Sequence, residues 1–265
     1  MWINADTKNL QYTTQTSLGT VNSPASFLGA WSIGGNLNAA RSLLTGAGTQ
    51  NAGLAYGGGN PAFTSCTEEY DGASWSTQNA MIVPRNGMGG GGAQDSAFAA
   101  GGTSNASISS CNEEYNGTSW ATGGALIQAR KETAGSGTQN AGLMFGGGDP
   151  AFTCTEEYNG TAWTAGGALN TARLYLAGTG TQNSSLAFGG YAPGASTCTE
   201  EYDGTSWGIR NAMINATAVR SGLGDVNAAL AIGGLQSTTQ AEEWNGTSWI
   251  SSNNLPTAVY GAAAS

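Results

Sequence analysis

Carboxylates occur in adjacent pairs that recur along the chain. Ten of the eleven glutamates form five Glu-Glu pairs. Paired carboxylates act as acid and nucleophile in glycosidases, where one of them has a raised pKa. Neighbouring residues of a β-strand, however, point to opposite faces of the sheet, so the two members of a pair cannot assist each other. Five copies also favour a structural role, because an active site is normally assembled once. The pairs are Glu68-Glu69, Glu113-Glu114, Glu156-Glu157, Glu200-Glu201 and Glu242-Glu243.

Arginines form a second series, with one Arg upstream of each glutamate pair. On one interpretation, each Arg makes a partly buried ion pair with one Glu of its own unit. On the other, the arginines form a cationic ring that holds an acidic peptide or sugar, which makes them candidate ligand-binding residues. The ratio of one Arg to one Glu favours the ion pairs. The series is Arg41, Arg85, Arg130, Arg173 and Arg220.

Histidine is absent from all 265 residues. Its absence removes the commonest general base, the usual catalytic triads and most transition-metal sites. We therefore expect no catalytic residue, no metal site and no cofactor, and we interpret the chain as a protein that is not an enzyme. The Asp/Asn-Gly-x-x-Trp stretch is similar to the Asp-box of sialidases, but it lacks the residue that normally separates Asp from Gly.

The charge balance narrows the choice of partners. A net charge of −9 disfavours nucleic acid, since neutralising phosphates needs clustered Lys and Arg, and it also disfavours an anionic membrane surface. No apolar run approaches the ~20 residues that span a bilayer. The start of the chain, MWINADTKNL, has neither the basic nor the apolar stretch of a secretory signal. We therefore expect synthesis in the cytoplasm, without export by that route and without membrane insertion.

A repeat of about 44 residues positions these side chains. Six tryptophans recur at spacings of 44, 45, 43, 44 and 42 residues, and six such units account for nearly the whole chain. A fixed period in this range indicates a repeat protein. We therefore predict a single domain over residues 1–265. The tryptophans are Trp31, Trp75, Trp120, Trp163, Trp207 and Trp249.

Each unit divides into four short strands, as the segment from Ala168 to Trp207 illustrates. A weakly apolar strand follows the Arg, a second ends at a glycine pair, a third carries Glu-Glu-Tyr and a fourth carries the Trp. Asp-Gly or Asn-Gly separates the last two strands and predicts a type I′ turn. Glycine interrupts every stretch and no 3.6-residue apolar period appears, which excludes helical repeats. Four antiparallel strands in six units predict an all-β, six-bladed β-propeller in which each Trp packs one blade against the next.

The order of a glycine pair, Glu-Glu-Tyr, Asp/Asn-Gly and Trp resembles the kelch motif, in five complete copies and a divergent first one. Stretches such as GTQNAGLMFGG and EEYNGTSW are similar to the kelch-like repeats of bacteriophage structural proteins, including those of marine phages. This resemblance implies a component of a virion, such as a fibre, decoration or adhesion domain. The glycine pairs are Gly58-Gly59, Gly101-Gly102, Gly147-Gly148, Gly189-Gly190 and Gly233-Gly234.

The two ends of the chain complement each other. Trp31 has no glycine pair before it, whereas the segment from Leu255 to Ser265 resembles the start of a unit and stops before its second strand. We therefore predict that about 1–31 and 255–265 share the sixth blade. The C-terminal segment, with Tyr260, supplies the innermost strand, and the N-terminal segment from about Leu10 to Trp31 supplies the other three. Such a splice removes a free sheet edge.

Four cysteines occupy the same position in successive units, two residues before a glutamate pair. Equivalent positions in neighbouring blades are expected to be too far apart for a disulfide, so we predict free, small, buried side chains. They are Cys66, Cys111, Cys154 and Cys198.

Loops that follow the glycine pairs vary most between units, and they leave the face where the arginine segments lie. Function usually resides in loops on a rigid scaffold. Phe63, Phe152 and Tyr191 are therefore candidate ligand contacts, although they also fit a role in sealing blade edges. The Thr-Gln-Asn turns are read as turn residues that offer amides to carbohydrate only as an alternative.

The leading hypothesis is a non-enzymatic structural or binding module of a virion, with an extracellular or particle-bound location. It presents one face to a protein, such as a virion protein or host receptor, or to a glycan, and forms a homo-oligomer on the particle. Near-equivalent units allow weak sites to add by avidity. The alternatives are an intracellular kelch adaptor that binds an acidic peptide at the arginine ring and, less favoured, a sialidase-like enzyme that acts on glycans.

Overall fold

A computed structural model of the chain describes residues 2–3, 9–13, 30–105, 107–218, 221–234 and 238–259. The described elements are antiparallel β-strands. The first three form one sheet, called the N-terminal sheet below: β1 (Trp2–Ile3), β2 (Asn9–Thr13) and β3 (Ala30–Gly34).

Five four-stranded sheets follow in the described part of the chain, and each is one blade. Blade 1 contains β4 (Thr45–Thr49), β5 (Ala52–Tyr56), β6 (Thr67–Tyr70) and β7 (Trp75–Gln78). Blade 2 contains β8 (Gly89–Ala93) and β9 (Ser96–Ala100), then the hairpin β10 (Thr103–Ser104) and β11 (Ser107–Ile108), then β12 (Asn112–Tyr115) and β13 (Trp120–Thr122). Blade 3 contains β14 (Ala134–Thr138), β15 (Ala141–Phe145), β16 (Thr155–Tyr158) and β17 (Trp163–Ala165). Blade 4 contains β18 (Ala177–Thr181), β19 (Ser184–Phe188), β20 (Thr199–Tyr202) and β21 (Trp207–Arg210). Blade 5 contains β22 (Ser221–Gly224), β23 (Ala229–Ile232), β24 (Ala241–Trp244) and β25 (Trp249–Ser251).

The blades stand around an axis, with the first strand of each blade innermost. These first strands pack side by side in chain order, β4 on β8, β8 on β14, β14 on β18 and β18 on β22. Glycine permits this close approach: a Cβ on Gly135 would lie 2.6 Å from the backbone nitrogen of Gly90, and one on Gly178 would lie 2.3 Å from the Phe145 ring. The described part of the chain therefore has the arrangement of a β-propeller, as predicted.

Alternating strand directions give the propeller two distinct faces. The second-to-third strand loops and the connections between blades lie on one face, which we call the loop face. The turns after the first and third strands lie on the other, which we call the turn face. The fold therefore gathers the variable loops on one side of the molecule.

Tryptophans sit where the repeat predicts, at the start of the fourth strand of each blade. In blades 2 to 5 each packs against an aromatic ring of the preceding blade: the ring centroids are 4.9 Å apart for Tyr56 and Trp120, and 4.8 Å apart for Phe145 and Trp207. Such aromatic pairs contribute about 0.5–1.5 kcal/mol beyond the area that they bury. The predicted packing of one blade on the next through Trp is confirmed.

Two local predictions were wrong in detail. The turns before each Trp contain four residues, not two, because the side chain of the first residue caps the loop: Asp71 Oδ1 accepts hydrogen bonds from the N–H groups of Ala73 and Ser74. In blades 1 and 3 the structural glycine pair is Gly57-Gly58 and Gly146-Gly147, one residue earlier than predicted. These blades contain three consecutive glycines, so the sequence does not show which two of them form the pair.

Five complete blades are described rather than six. Tyr260 and the residues after it, which were predicted to complete the sixth blade, lie outside the described residues. Most of the predicted N-terminal contribution, between Leu10 and Trp31, also lies outside them apart from β2 and the start of β3.

Candidate functional site

Four of the five predicted arginines lie inside the blades, beneath the loop face. Each makes an ion pair with the first Glu of its own blade, and both side chains of every pair are at most 3% exposed. The N–O distance is 2.8 Å between Arg85 and Glu113 and 2.9 Å between Arg173 and Glu200. The other two pairs are Arg41 with Glu68 and Arg130 with Glu156.

Each buried pair fastens three parts of its blade together. The Arg85 guanidinium donates to the carbonyl oxygens of Gly101 and Cys111, both at 2.8 Å. The Glu113 carboxylate accepts the N–H groups of Ile82 and Val83 on the segment that enters the blade. Buried ions need such partners, because desolvating an unpaired charge is costly. An acidic ligand can therefore reach these guanidinium groups only if the blade rearranges.

Blade 5 has no arginine at this position. The backbone carbonyl of the Arg accepts a hydrogen bond from the glycine pair of the preceding blade, as Arg173 does from Gly147, and in blade 5 Thr217 accepts it from Gly190. Arg220 itself lies outside the described residues, three positions later in the chain. Glu242 accepts hydrogen bonds from the backbone N–H groups of Ile214 and Asn215, as the first Glu of the other blades does from the corresponding residues, and also from the side-chain amide of Asn215. Among the described residues, the backbone position of the four buried arginines is therefore taken in blade 5 by Thr217.

The second Glu of a pair joins neighbouring blades. The hydroxyl of Tyr202 donates to Glu157 at 2.5 Å, and that of Tyr115 donates to Glu69 at 2.9 Å. Burial, followed by the hydrogen bond to Glu157, raises the pKa of Tyr202 to about 12. The same pairing links Tyr158 to Glu114. Both members of the Glu-Glu pairs are thus used structurally, on opposite faces of the strand.

Glutamines of the Thr-Gln-Asn turns also bridge blades. Gln139 Nε2 donates to the carbonyl oxygens of Ala97 and Tyr115, at 3.1 and 2.7 Å. Gln94 and Gln182 make the equivalent contacts with blades 1 and 3. These amides serve the fold, whereas the Thr and Asn residues of the Thr-Gln-Asn turns, among them Asn51, Asn140 and Asn183, are exposed.

The predicted aromatic contacts lie on the loop face. Tyr191 is 42% exposed, whereas Phe63 and Phe152 are partly buried. Phe152 packs over Gly148, where an added Cβ would lie 2.4 Å from the ring. In blade 2 the corresponding loop is a hairpin that exposes Ile108. The loops therefore differ in shape and in apolar exposure from blade to blade.

The axis carries a narrow channel with two chambers. The larger, of about 140 Å³, lies toward the turn face and is lined by Gly92, Gly137 and Gly180. The smaller, of about 110 Å³, lies toward the loop face and is lined by Leu44, Met88 and Leu176. Both chambers are lined mainly by the first strands of the described blades.

A collar of four residues lies at the loop-face mouth of this channel, each directly before a residue that lines the smaller chamber: Leu43, Gly87, Glu132 and Tyr175. All four have left-handed backbones, with φ between 52° and 62°. Each N–H donates to the carbonyl of the preceding member, at 3.0 Å from Gly87 to Leu43 and 2.8 Å from Glu132 to Gly87. Tyr175 continues the series to Glu132 at 2.8 Å. The collar thereby ties the entry segments of successive blades together.

Glu132 is the one glutamate outside the Glu-Glu pairs. Burial raises the pKa of its carboxyl to about 7, against the lowering effect of the neighbouring Lys131 charge. The Lys131 ammonium is directed to Asp149, at 3.0 Å. Sequence reasoning missed Glu132 because it is not repeated. Its position two residues after an arginine at a strand entry was the available signal.

Cysteines are free in the described structure, as predicted, but they are only partly buried, and Cys154 is exposed. The strand that follows each Cys turns the next residues inward, and Cys remains near the loop face. Burial raises the pKa of the Cys66, Cys111 and Cys198 thiols. Within the described ranges, no three Cys, Asp or Glu side chains converge on a point that could hold a metal ion.

The described part of the chain contains no helix with the length and apolar character needed to cross a membrane. No protein-family model matches the chain, and no curated protein matches its sequence.

Proposed function

We propose that this chain is a non-enzymatic binding module, a six-bladed kelch-type propeller that presents its loop face to a protein or glycan as part of a bacteriophage virion. The observation that carries the proposal is a contrast within each blade. The same buried contacts recur from blade to blade, whereas the loops after the glycine pairs differ in length, conformation and exposed residues. Variation on a constant scaffold is typical of a recognition surface.

Exposed apolar side chains on the loop face support recognition there. Ile82, Ile127 and Ile214 lie on the connections between blades and are 55%, 65% and 52% exposed. Tyr191 and Ile108 add to the same face from the loops. Five of the eight exposed large apolar side chains in the described ranges therefore lie on this face, while Ile33, Ile209 and Ile250 lie on β3, β21 and β25. Such exposed apolar residues are typical of binding surfaces. The turn face presents Asn and Asp side chains instead, at Asn51, Asp71 and their equivalents.

Two observations, one near each end of the chain, support a sixth blade formed by both ends. Trp31 packs against the core of blade 5 near Ile232, and its Nε1 donates to the carbonyl of Asn253 at 2.9 Å. After blade 5, the N–H of Gly234 donates to Val259, just as Gly58 donates to Arg85 at the entry of blade 2. Residues 255–259 thus follow the path of a segment that enters a further blade.

An acidic-peptide adaptor is the weaker candidate, because four of the five arginines are neutralised and buried inside their blades. The virion setting rests on the resemblance of the repeats to phage proteins. Its test is mass spectrometry of purified particles from the source of the gene, in which the chain should be present at structural copy number. Absence from intact particles would overturn the virion assignment.

The binding role is tested with a glycan array and with immobilised virion and host-surface proteins. A variant that combines Phe63→Ser, Phe152→Ser and Tyr191→Ser should lose binding at least about tenfold, since buried aromatic anchors dominate recognition. The matched control places Asn51→Ser, Asn140→Ser and Asn183→Ser on the turn face and should bind as the parent does. Equal loss in both variants, or none in either, would overturn the assignment of the loop face.

A further inference from the structure

The Glu132 carboxylate is the ionisable group at the loop-face mouth that the fold does not use. Within the described residues it makes no side-chain hydrogen bond and no ion pair. Glutamates of the Glu-Glu pairs, by contrast, accept hydrogen bonds from arginine, tyrosine or backbone N–H groups. Because the described part of the fold directs no side-chain or backbone donor to this partly exposed carboxylate, its oxygens are available to a ligand.

Gly87 provides the space in which this carboxylate lies. A Cβ on Gly87 would stand 2.9 Å from the carboxyl carbon of Glu132 and 2.9–3.0 Å from its oxygens. Leu43 and Tyr175, at the equivalent collar positions, carry side chains where Gly87 has none. The space that holds the Glu132 carboxyl, called the Glu132 site below, is therefore specific to the junction of blades 2 and 3. The residues directly after Gly87 and Glu132, Met88 and Thr133, line the chamber of about 110 Å³ below it.

The charges around the Glu132 site favour the binding of a cation over that of an anion. The chain has a net charge of −9, and the arginines beneath the mouth are neutralised by their own glutamates. Lys131 pairs with Asp149 instead of Glu132. An acidic surface raises the local concentration of cations and repels anions. The mouth therefore offers one carboxylate without an ion-pair partner among the described residues, in a partly desolvated position.

We propose that the Glu132 carboxylate binds a primary ammonium group, that of a lysine side chain of a protein partner, at the loop-face mouth of the channel. This inference rests on the proposed function, because it names the partner chemistry of the same face. An ammonium group is a compact point charge with three donors, and it fits a single carboxylate at a narrow mouth. A guanidinium group is a planar fork that is best matched by two acceptors.

Binding should depend on pH through Glu132. The charged and titratable side chains on the surrounding segments are Arg130 and Lys131 on its own segment, Arg85 on one side, Arg173 and Tyr175 on the other, and Asp149 in the loop. The chain has no histidine, and burial raises the pKa values of three of its thiols. The side chain expected to titrate between pH 5.5 and 8 is therefore Glu132, whose pKa is raised to about 7.

The experiment is an NMR titration of the ¹⁵N-labelled full chain with n-butylammonium chloride. At pH 8 the amides of Gly87, Glu132 and Tyr175 should shift saturably, and the affinity should fall about tenfold or more at pH 5.5, where the carboxyl is neutral. Glu132→Gln should lose the binding at pH 8 by a similar factor. Asp95→Asn, which removes the same charge from an exposed site on the turn face, should leave it unchanged.

Three further ligands identify the chemistry. n-Butanol should not bind, because it lacks the charge. Tighter binding of n-propylguanidinium would overturn the ammonium assignment, and tighter binding of glucosamine would assign the ammonium to a glycan instead of lysine. Equal n-butylammonium binding by the parent and by Glu132→Gln would overturn the inference and leave the proposed function standing. The loop-face binding experiment, which uses other residues, tests that function separately.

Discussion

At the interface between blades 3 and 4, polar contacts accompany the packed tryptophan. Tyr202 donates to Glu157, and Gln182 bridges two carbonyl oxygens of blade 3. At the interface between blades 4 and 5, Trp244 stands in place of the Tyr and Val226 in place of the Gln. Glu201 then pairs with Arg210 of its own blade, at 2.8 Å. At these two positions, one interface is bridged by polar side chains and the other carries apolar ones.

Two contacts are common to both interfaces. Trp207 Nε1 donates to Thr155 and Trp249 Nε1 donates to Thr199, each at 2.9 Å. The aromatic pair is also retained, since the Phe188 and Trp249 centroids are 4.9 Å apart. The comparison shows that the Trp, the Thr that accepts its hydrogen bond and the aromatic ring form the contact that these two interfaces share. The tyrosine and glutamine contacts are replaceable where apolar side chains fill the same space.

The largest effect is expected where the blades differ most, at the buried arginine that blade 5 replaces with Thr217. Arg130→Met should destabilise the chain by about 3–5 kcal/mol, because it leaves the Glu156 carboxylate buried without its cation. Urea unfolding monitored by tryptophan fluorescence measures the loss. A loss below about 1 kcal/mol would mean that the ion pair is not needed to stabilise blade 3.

The matched control is Arg210→Met, which removes the exposed ion pair with Glu201. That side chain is 45% exposed, so the expected loss is within about 1 kcal/mol. A double variant, Arg130→Met with Glu156→Gln, should recover part of the stability, because the remaining polar group is neutral.

An intermediate effect is expected at the interface between blades 2 and 3. Trp163 Nε1 is buried and has no acceptor among the described residues, because Asn112 stands where the other interfaces have Thr67, Thr155 or Thr199. Asn112→Thr should provide the missing hydroxyl and stabilise the chain by about 1 kcal/mol. The reciprocal change, Thr155→Asn, should destabilise the neighbouring interface by a similar amount. If the urea midpoints of the two variants shift in opposite directions, the Trp–Thr hydrogen bond stabilises both interfaces. Shifts of the same sign would contradict this.

Local periodicity was enough to predict the blades. The tryptophan spacing and the glycine pairs placed Trp207 on a fourth strand, and the pairing of one Arg with one Glu indicated the ion pairs. Those features repeat within a unit of about 44 residues, so the sequence displays them directly. The number of blades and the closure of the ring depend on residues outside the described ranges and stay predictions.

Contacts between blades could not be predicted, because they depend on the rotation from one blade to the next. Tyr202 and Glu157 are separated by 45 positions, and nothing in the Glu-Glu-Tyr pattern shows that its Tyr reaches the preceding blade. The prediction anchored the series on arginine, which aligned Arg220 with Arg173. Anchoring it on Gly178 and Gly222 instead would have aligned Thr217 with Arg173.

The smallest effect is expected from the tyrosine hydroxyl that Trp244 lacks. Tyr202→Phe should cost about 1 kcal/mol at pH 8, since it removes one hydrogen bond to Glu157. The pKa of Tyr202 is raised from 10.0 to about 12 in the folded chain, so its stabilising effect is complete below pH 10 and is lost as the pH rises to 12. The difference in unfolding free energy between the parent and Tyr202→Phe should therefore shrink between pH 10 and 12. Because both proteins share every other titrating group, a difference that stays constant over this range would show that the hydroxyl is not coupled to the interface of blades 3 and 4.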